Sequence, residues 1–218
     1  MIQDFGWSSV EFLARASLWT IGLSIIAFLI GGAIGLTLAL LRVLGPRPVK
    51  LAIAGYIQIV QATPLLIVVF IVFFGLSFAG LYFPPLLAAG ISVSVYASAY
   101  LADIWRGCIE AVPRPQWEAA DALAFSLPQQ LRYVVLPQAF RIALGPTVGF
   151  MVQIVKNTSV TALIGFVELT RAGQLLNNMT FQPFIVFITV AAFYFAICYP
   201  LSYLSEKLKG KRRVQRAH

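Results

Sequence analysis

The sequence predicts an all-α integral membrane protein of about five transmembrane helices. The N-terminus is expected outside and the C-terminus in the cytoplasm, with a short cytoplasmic helix between the third and fourth spans. Three observations carry this. Of 218 residues, 60% are hydrophobic and 11% charged, against roughly 45–50% and about 25% in a soluble domain, so a soluble fold of this size could not hide the apolar surface. The apolar residues fall in stretches at 16–41, 54–80, 85–105, 138–157 and 184–205, each near or above the ~20 residues that cross a bilayer. Finally, basic residues gather between alternate stretches.

Asp4 and Glu11 precede the first stretch, where a cleavable signal peptide would need positive charge, so this stretch is expected to remain as a helix. It carries Gly31 and Gly35, with Ala39 four further on. Small residues at that spacing let another helix approach closely, although glycine is also simply common in membrane helices. The second stretch contains Thr63-Pro64. Proline there removes a backbone hydrogen bond and invites a kink, tolerable only beside protein or a wet cavity. Gln58 and Gln61 lie one turn apart just before it and are placed to face such a cavity. The third stretch holds Asp103, three residues before Arg106, so the two are expected to pair near the cytoplasmic edge.

The segment 106–137 differs, being charged and carrying Pro113, Pro115, Pro128 and Pro137. Gln116 to Ser126 reads as a short helix, since Pro115 suits a start and Pro128 a stop. Glu118 and Asp121 lie toward its positive N-terminal end. Alanines at 119, 120, 122 and 124 give it a smooth surface. Composition alone favours an ordinary interfacial loop helix.

In the fourth stretch Gly145, Gly149, Gln153, Lys156 and Asn157 recur on one helical face, and an intramembrane polar stripe usually faces protein or a cavity. Lys156 lies roughly 22 Å beyond Arg141 at ~1.5 Å per residue. It either snorkels to the outer headgroups or lines a solute path.

Loop charge orients the bundle. Arg42, Arg47 and Lys50 follow the first stretch, and the turn from Gly80 to Pro85 has no charge. Arg106, Arg114, Arg132 and Arg141 follow the third, Arg171 the fourth, and Lys207, Lys209, Lys211, Arg212, Arg213 and Arg216 the fifth. The positive-inside rule places the basic loops in the cytoplasm. The formal net charge of +8 therefore reads as topology and contact with anionic lipid, and no nucleic-acid partner is expected.

No phosphate-binding G-x-x-x-x-G-K-[ST] loop exists, the only Gly-Lys being Gly210-Lys211. The sole histidine is His218, and Cys108 and Cys198 have no metal-type spacing. No catalytic residue, cofactor or metal is expected, nor a disulfide, and the chain does not read as an enzyme. Energy for uphill movement would come from another chain. An ion-coupled secondary carrier would want intramembrane acids and internal repeats, and neither is found. A non-transporting membrane scaffold stays open on composition.

The central region resembles the inner-membrane permeases of binding-protein-dependent ABC importers. Their signature is EAA, three residues, Gly, nine residues, Ile, one residue, Leu-Pro. Here Glu118-Ala119-Ala120 is followed at those spacings by Ala124, Val134 and Leu136-Pro137, with alanine for glycine and valine for isoleucine. The chain is more closely similar to the polar amino acid branch, which includes permeases for histidine, arginine, glutamine and glutamate. The resemblance rests on Ala62-Thr63-Pro64-Leu65-Leu66, Ala99-Tyr100-Leu101-Ala102-Asp103-Ile104, Arg106-Gly107, Leu136-Pro137-Gln138-Ala139-Phe140-Arg141, Lys156-Asn157-Thr158-Ser159 and Glu168-Leu169-Thr170.

The resemblance implies one transmembrane permease domain over 1–218 in the inner membrane of a bacterium. Its partners would be an ATP-binding-cassette ATPase, a second permease and a periplasmic amino-acid-binding protein. It turns the 106–137 helix into a coupling helix, with Glu118, Ala119, Ala120, Leu123 and Ala124 meeting the ATPase. It also implies a substrate path drawn from Gln58, Gln61, Thr63, Pro64, Gln153, Lys156, Asn157, Thr158 and Ser159. Two departures stand out. Gln61-Ala62 replaces a frequent Arg-Gly before Thr-Pro, and Gly149-Phe150 replaces an Asn-Glu that often precedes the lysine. The second points to a heterodimer in which this chain is the less substrate-specific half.

Overall fold

The computed structural model describes residues 4–215, with side chains through Lys209; the side chains of Lys211, Arg212, Arg213 and Arg216, and His218, lie outside the described residues. The described chain is helical without strands. We number the helices α1 (Trp7–Leu44), α2 (Arg47–Ala62), α3 (Leu65–Phe78), α4 (Pro85–Glu110), α5 (Arg114–Ala122), α6 (Leu127–Ile164), α7 (Leu169–Thr180) and α8 (Pro183–Gln215). Helices α1, α4, α6 and α8 are long and apolar enough to cross a membrane, and α2 with α3 makes a fifth span when the bent pair is counted as one. The expected five-span architecture is therefore present.

Helix α1 has 38 residues, about 57 Å at 1.5 Å per residue, well beyond a ~30 Å hydrocarbon core. Thr20, Leu23, Ala27, Gly31, Gly35 and Ala39 form its buried edge at helical spacing, while Leu18, Trp19, Ile25 and Leu29 on other faces are exposed. The glycines serve close approach. A methyl group added at Gly31 would stand 2.7 Å from Cβ of Ala97 and 2.8 Å from the Ser94 carbonyl oxygen, and one at Gly35 would stand 2.9 Å from the Ser98 carbonyl oxygen. The backbones of α1 and α4 thus touch. Around this crossing Leu23, Ala27, Val93 and Ala97 pack with Leu65, Val69, Phe150 and Ile154, so four helices share one core.

Two sequence expectations need correction. The second span is not a kinked helix but two helices meeting at 102°. Thr63 is extended, with φ −93° and ψ 127°, because a residue before proline is pushed out of the helical region. The break stays satisfied locally, since both the backbone N–H and the hydroxyl of Thr63 donate to the Ile59 carbonyl, at 3.1 and 2.7 Å. The second correction concerns α6, which begins well before 138. Pro128 starts this helix rather than stopping the preceding one: it stands in the first turn after Ser126, whose backbone N–H donates to Oε1 of Gln129 at 2.8 Å. Pro137 follows a π-helical turn at Leu131–Val135. Such a widened turn relieves the clash of a proline ring with the preceding carbonyls.

The expected Asp103–Arg106 pair is present at 3.0 Å, and Arg42 of α1 joins it at 3.4 Å. Sequence reading missed a second polar tie. Glu168 is 0% exposed. Its carboxylate accepts from the Arg171 N–H at 2.8 Å, the Tyr194 hydroxyl at 2.8 Å and the Thr20 hydroxyl at 3.5 Å. It therefore caps α7 and fastens it to α1 and α8.

Gly35→Leu is expected to force α1 off α4, and overpacking of that kind costs about 1–3 kcal/mol; the melting temperature of the purified protein should fall by roughly 5 °C. Burial outweighs these hydrogen bonds and holds the Glu168 carboxyl above the usual carboxylate range. A carboxyl with a raised folded-state pKa stabilises the fold most while protonated, so this contribution is full below the ordinary carboxylate value and lost as pH rises through the raised one. Melting curves across pH should show that loss, and Glu168→Gln, which stays neutral, should flatten it.

Candidate functional site

Helix α5 and the C-terminal half of α6 hold most of the residues singled out by sequence. Helix α5 ends in a turn whose chemistry is legible atom by atom. The Ala124 N–H donates to the Asp121 carbonyl at 2.8 Å and the Phe125 N–H to the Ala120 carbonyl at 3.2 Å. This is the paired closure of a Schellman motif. Ala124 carries it at φ 56°, in the left-handed region where glycine is the usual occupant. The tight turn therefore survives the replacement of the signature's glycine, at a conformational cost.

Two glutamines lock this turn onto α6. Buried Gln130 donates to Oδ1 of Asp121 at 3.1 Å and to the Phe125 carbonyl at 2.9 Å. Gln138 donates to Oε1 of Gln116 at 3.1 Å and to the Val134 carbonyl at 2.9 Å. Glu118, Ala119, Leu123 and Ala124 are exposed, Leu123 at 69%. Ala120 departs from its expected place in that set. It is 2% exposed and turned inward, so its methyl seats α5 on its own chain. Gln130 and Gln138 escaped sequence reading, because nothing in their local pattern distinguishes a latch from an ordinary polar residue.

At the other end, Gly149, Val152, Gln153, Lys156 and Asn157 line an open cavity of about 360 Å³. The expected polar face is thus largely real, with three adjustments. Gly145 is buried, its carbonyl accepting from the Ser205 hydroxyl of α8 at 2.8 Å. Thr158 is fully buried, its hydroxyl spent on the Val155 carbonyl at 2.8 Å, so it does not line the groove. Ser159 donates to the Lys156 carbonyl at 2.7 Å. Phe150 does not interrupt the polar face at all. It points into the core, stacked on Tyr100 with ring centres 5.4 Å apart and interplanar angle 13°.

Gln58, Gln61, Thr63 and Pro64 lie at the break between α2 and α3, outside this cavity. Leu65 and Val69 of α3 pack in the same cluster as Ile154 and Ile164 of α6. The broken span thus leans on the end of α6 without adding a lining side chain. A larger groove of about 610 Å³ between α1, α4 and α6 is almost wholly apolar, lined by Phe28, Leu36, Phe140 and Met151 among others. Its polar groups satisfy each other, as Nε1 of Trp105 donates to the Thr147 hydroxyl at 2.9 Å, so it suits lipid chains rather than a polar solute.

No group of His, Cys, Asp and Glu able to hold a metal occurs among the described residues. Cys108 and Cys198 are buried thiols that do not bridge each other. What remains is a rigid exposed knob and a small polar groove on a multi-pass helical bundle.

That combination sits on a multi-pass helical membrane protein. Over residues 31–213 the chain matches the family of binding-protein-dependent transport system inner membrane components, and it belongs to that family. It is 32% identical over 190 residues to the probable amino-acid ABC transporter permease protein YckA of Bacillus subtilis, covering 87% of this chain and 84% of the relative. It is 29% identical to the glutamine transport system permease protein GlnP of Escherichia coli K12, covering 95% and 96%. An amino acid ABC transporter solved with histidines superposes with a TM-score of 0.88 at 30% identity, over 97% of this chain and all of the other. The methionine transporter MetNI, at 18% identity and TM-score 0.82, shares the fold over 94% of this chain and 99% of its own. The chain is accordingly the permease subunit of an ABC importer.

Since a non-glycine residue in the left-handed region costs roughly 1–2 kcal/mol, Ala124→Gly is expected to stabilise the protein by about 1 kcal/mol. Its melting temperature should rise by about 3 °C, and an unchanged or lower value would count against the turn described.

Proposed function

We propose that this chain moves a polar amino acid from the periplasm into the bacterial cytoplasm, with ATP hydrolysed on a separate subunit. One observation carries the reading. The polar groove lies on α6, a single element from Leu127 to Ile164, about 57 Å long, and the exposed knob of α5 is fastened to its base through Gln130 and Gln138. A push on Glu118, Ala119, Leu123 and Ala124 passes through the Gln130 and Gln138 latches into the helix that bears Gln153, Lys156 and Asn157. The curated relatives named for amino acids and glutamine support the class of solute.

In this reading 1–218 is one permease domain of the inner membrane, with α5 in the cytoplasm and the N-terminus outside, as the basic loops suggest. An ATPase docks on α5, and a binding protein delivers solute at the outer face. Gln58, Gln61, Thr63 and Pro64 border the path from the broken span. The second permease is a different chain. The groove offers an ammonium at Lys156 but lacks an acid, because Asp103 is paired with Arg42 and Arg106 and Glu168 is buried. An amino acid's ammonium needs an acceptor that a second copy of this groove would lack, since unpaired charge away from water is costly.

Leu123→Asp combined with Glu118→Lys is expected to cut ATP-driven uptake at least about tenfold, the equivalent of ~1.4 kcal/mol, in vesicles holding the ATPase, binding protein and both permeases. Full uptake by the double variant would refute coupling through α5. Full uptake by wild type without a second permease would refute the heterodimer.

A further inference from the structure

The crossing of α6 and α8 carries a cation that sequence reading assigned to the cytoplasmic tail. The two helices run antiparallel there: Gly145 meets Ser205 and Lys209, and Val152 and Val155 meet Cys198 and Leu201. Side chains tilt toward the N-terminus of their own helix, so Lys209 is aimed back along α6 toward the groove, not onward into the tail. The contacts follow that aim. A methyl group added at Gly145 would stand 2.8 Å from Cγ of Lys209, and one added at Gly149 would stand 3.7 Å from its Nζ and 3.1 Å from the Ser205 hydroxyl oxygen. The absent side chains of Gly145 and Gly149 thus form the channel in which Lys209 lies.

Its ammonium comes to rest at Gly149, which is also a wall of the polar cavity with Gln153 and Lys156. Neither lysine forms an ion pair among the described residues. Gly149 and Lys156 are seven residues apart, about 10 Å along the helix. Two cations therefore punctuate one face of α6, a short step apart; Glu206, the acid nearest Lys209 along α8, forms no ion pair with it.

We propose that Lys209 is a second carboxylate-binding station on the solute path, taking over from Lys156 the carboxylate of an amino acid moving inward. The inference rests on the amino-acid permease reading above and adds a specificity-determining residue to it. The Lys209 side chain is exposed and its ammonium is in no ion pair among the described residues, so a passing carboxylate can pair with it. A lipid phosphate offers the same chemistry, but Nζ lies against the cavity wall rather than out along the tail, which favours the solute.

The test uses the complete transporter in vesicles, supplied with a radiolabelled mixture of L-glutamine, L-glutamate, L-arginine and L-cystine. Lys209→Gln is expected to lower uptake about tenfold, as loss of one charged hydrogen bond does. Lys209→Arg should stay within about twofold of wild type, since the charge is kept. Both results should hold in neutral phosphatidylcholine vesicles as well as in vesicles containing anionic lipid, with both permeases still co-purifying. Wild-type uptake by Lys209→Gln overturns the proposal, as does equal damage by Lys209→Arg. So does an effect confined to anionic vesicles, which would assign the lysine to lipid, or loss of the second permease, which would assign it to the subunit interface. Failure of the wild-type complex to take up any of the four amino acids would instead sink the permease reading on which the proposal stands.

Discussion

Inside a bilayer no water is available to a bare peptide group, and each unmet one costs several kcal/mol. That constraint shapes this chain more than any single contact. It explains why the described residues are helical almost throughout, and why each interruption repairs itself nearby. At Thr63-Pro64 the hydroxyl and N–H of Thr63 both return to Ile59. At the start of α7 a buried glutamate takes the free Arg171 N–H. The helices are then free to pack wherever their backbones can come close.

Closeness is supplied by small residues used for two different ends. Gly31 and Gly35 bring α1 onto α4 with no side chain between, and the resulting contact anchors the largest core. Gly145 and Gly149 admit a side chain instead, that of Lys209. The same residue type in the same kind of helix therefore builds a static joint in one place and a seat for a lysine in another. Which outcome occurs depends on what the facing helix carries at that height: Ala97 in α4, a lysine in α8.

Helix α6 joins the two regions of interest because it does not stop where its prolines invite it to. The π-helical turn before Pro137 keeps the element continuous. Gln130 and Gln138 bind the short α5 to its base. In the proposed mechanism a displacement of α5 is carried along this helix to the groove. The buried Ala120 methyl and the strained Ala124 turn are the local means of keeping that junction stiff.

The membrane class, five spans and the existence of a short helix begun by Pro115 were legible in the sequence, although that helix ends at Ala122 and Pro128 belongs to the next one. They depend on local quantities, namely run length, the placement of charge and the conformational limits of proline, none of which needs a partner. The stripe on the fourth stretch was legible for the same reason, since helical spacing alone puts Gly149, Gln153 and Lys156 on one side. What the spacing left open was decided by neighbours. Phe150 lies next to Gly149 in the chain yet belongs to the core, because Tyr100 is there to stack on. Thr158 follows the polar stripe but is buried, and Ala120 turns inward where a knob was expected. Glu168 and Lys209 gained their positions from helices far away in sequence. Periodicity tells which residues share a face, but only packing tells what that face meets, because the identity of the facing helix is a long-range property of the chain.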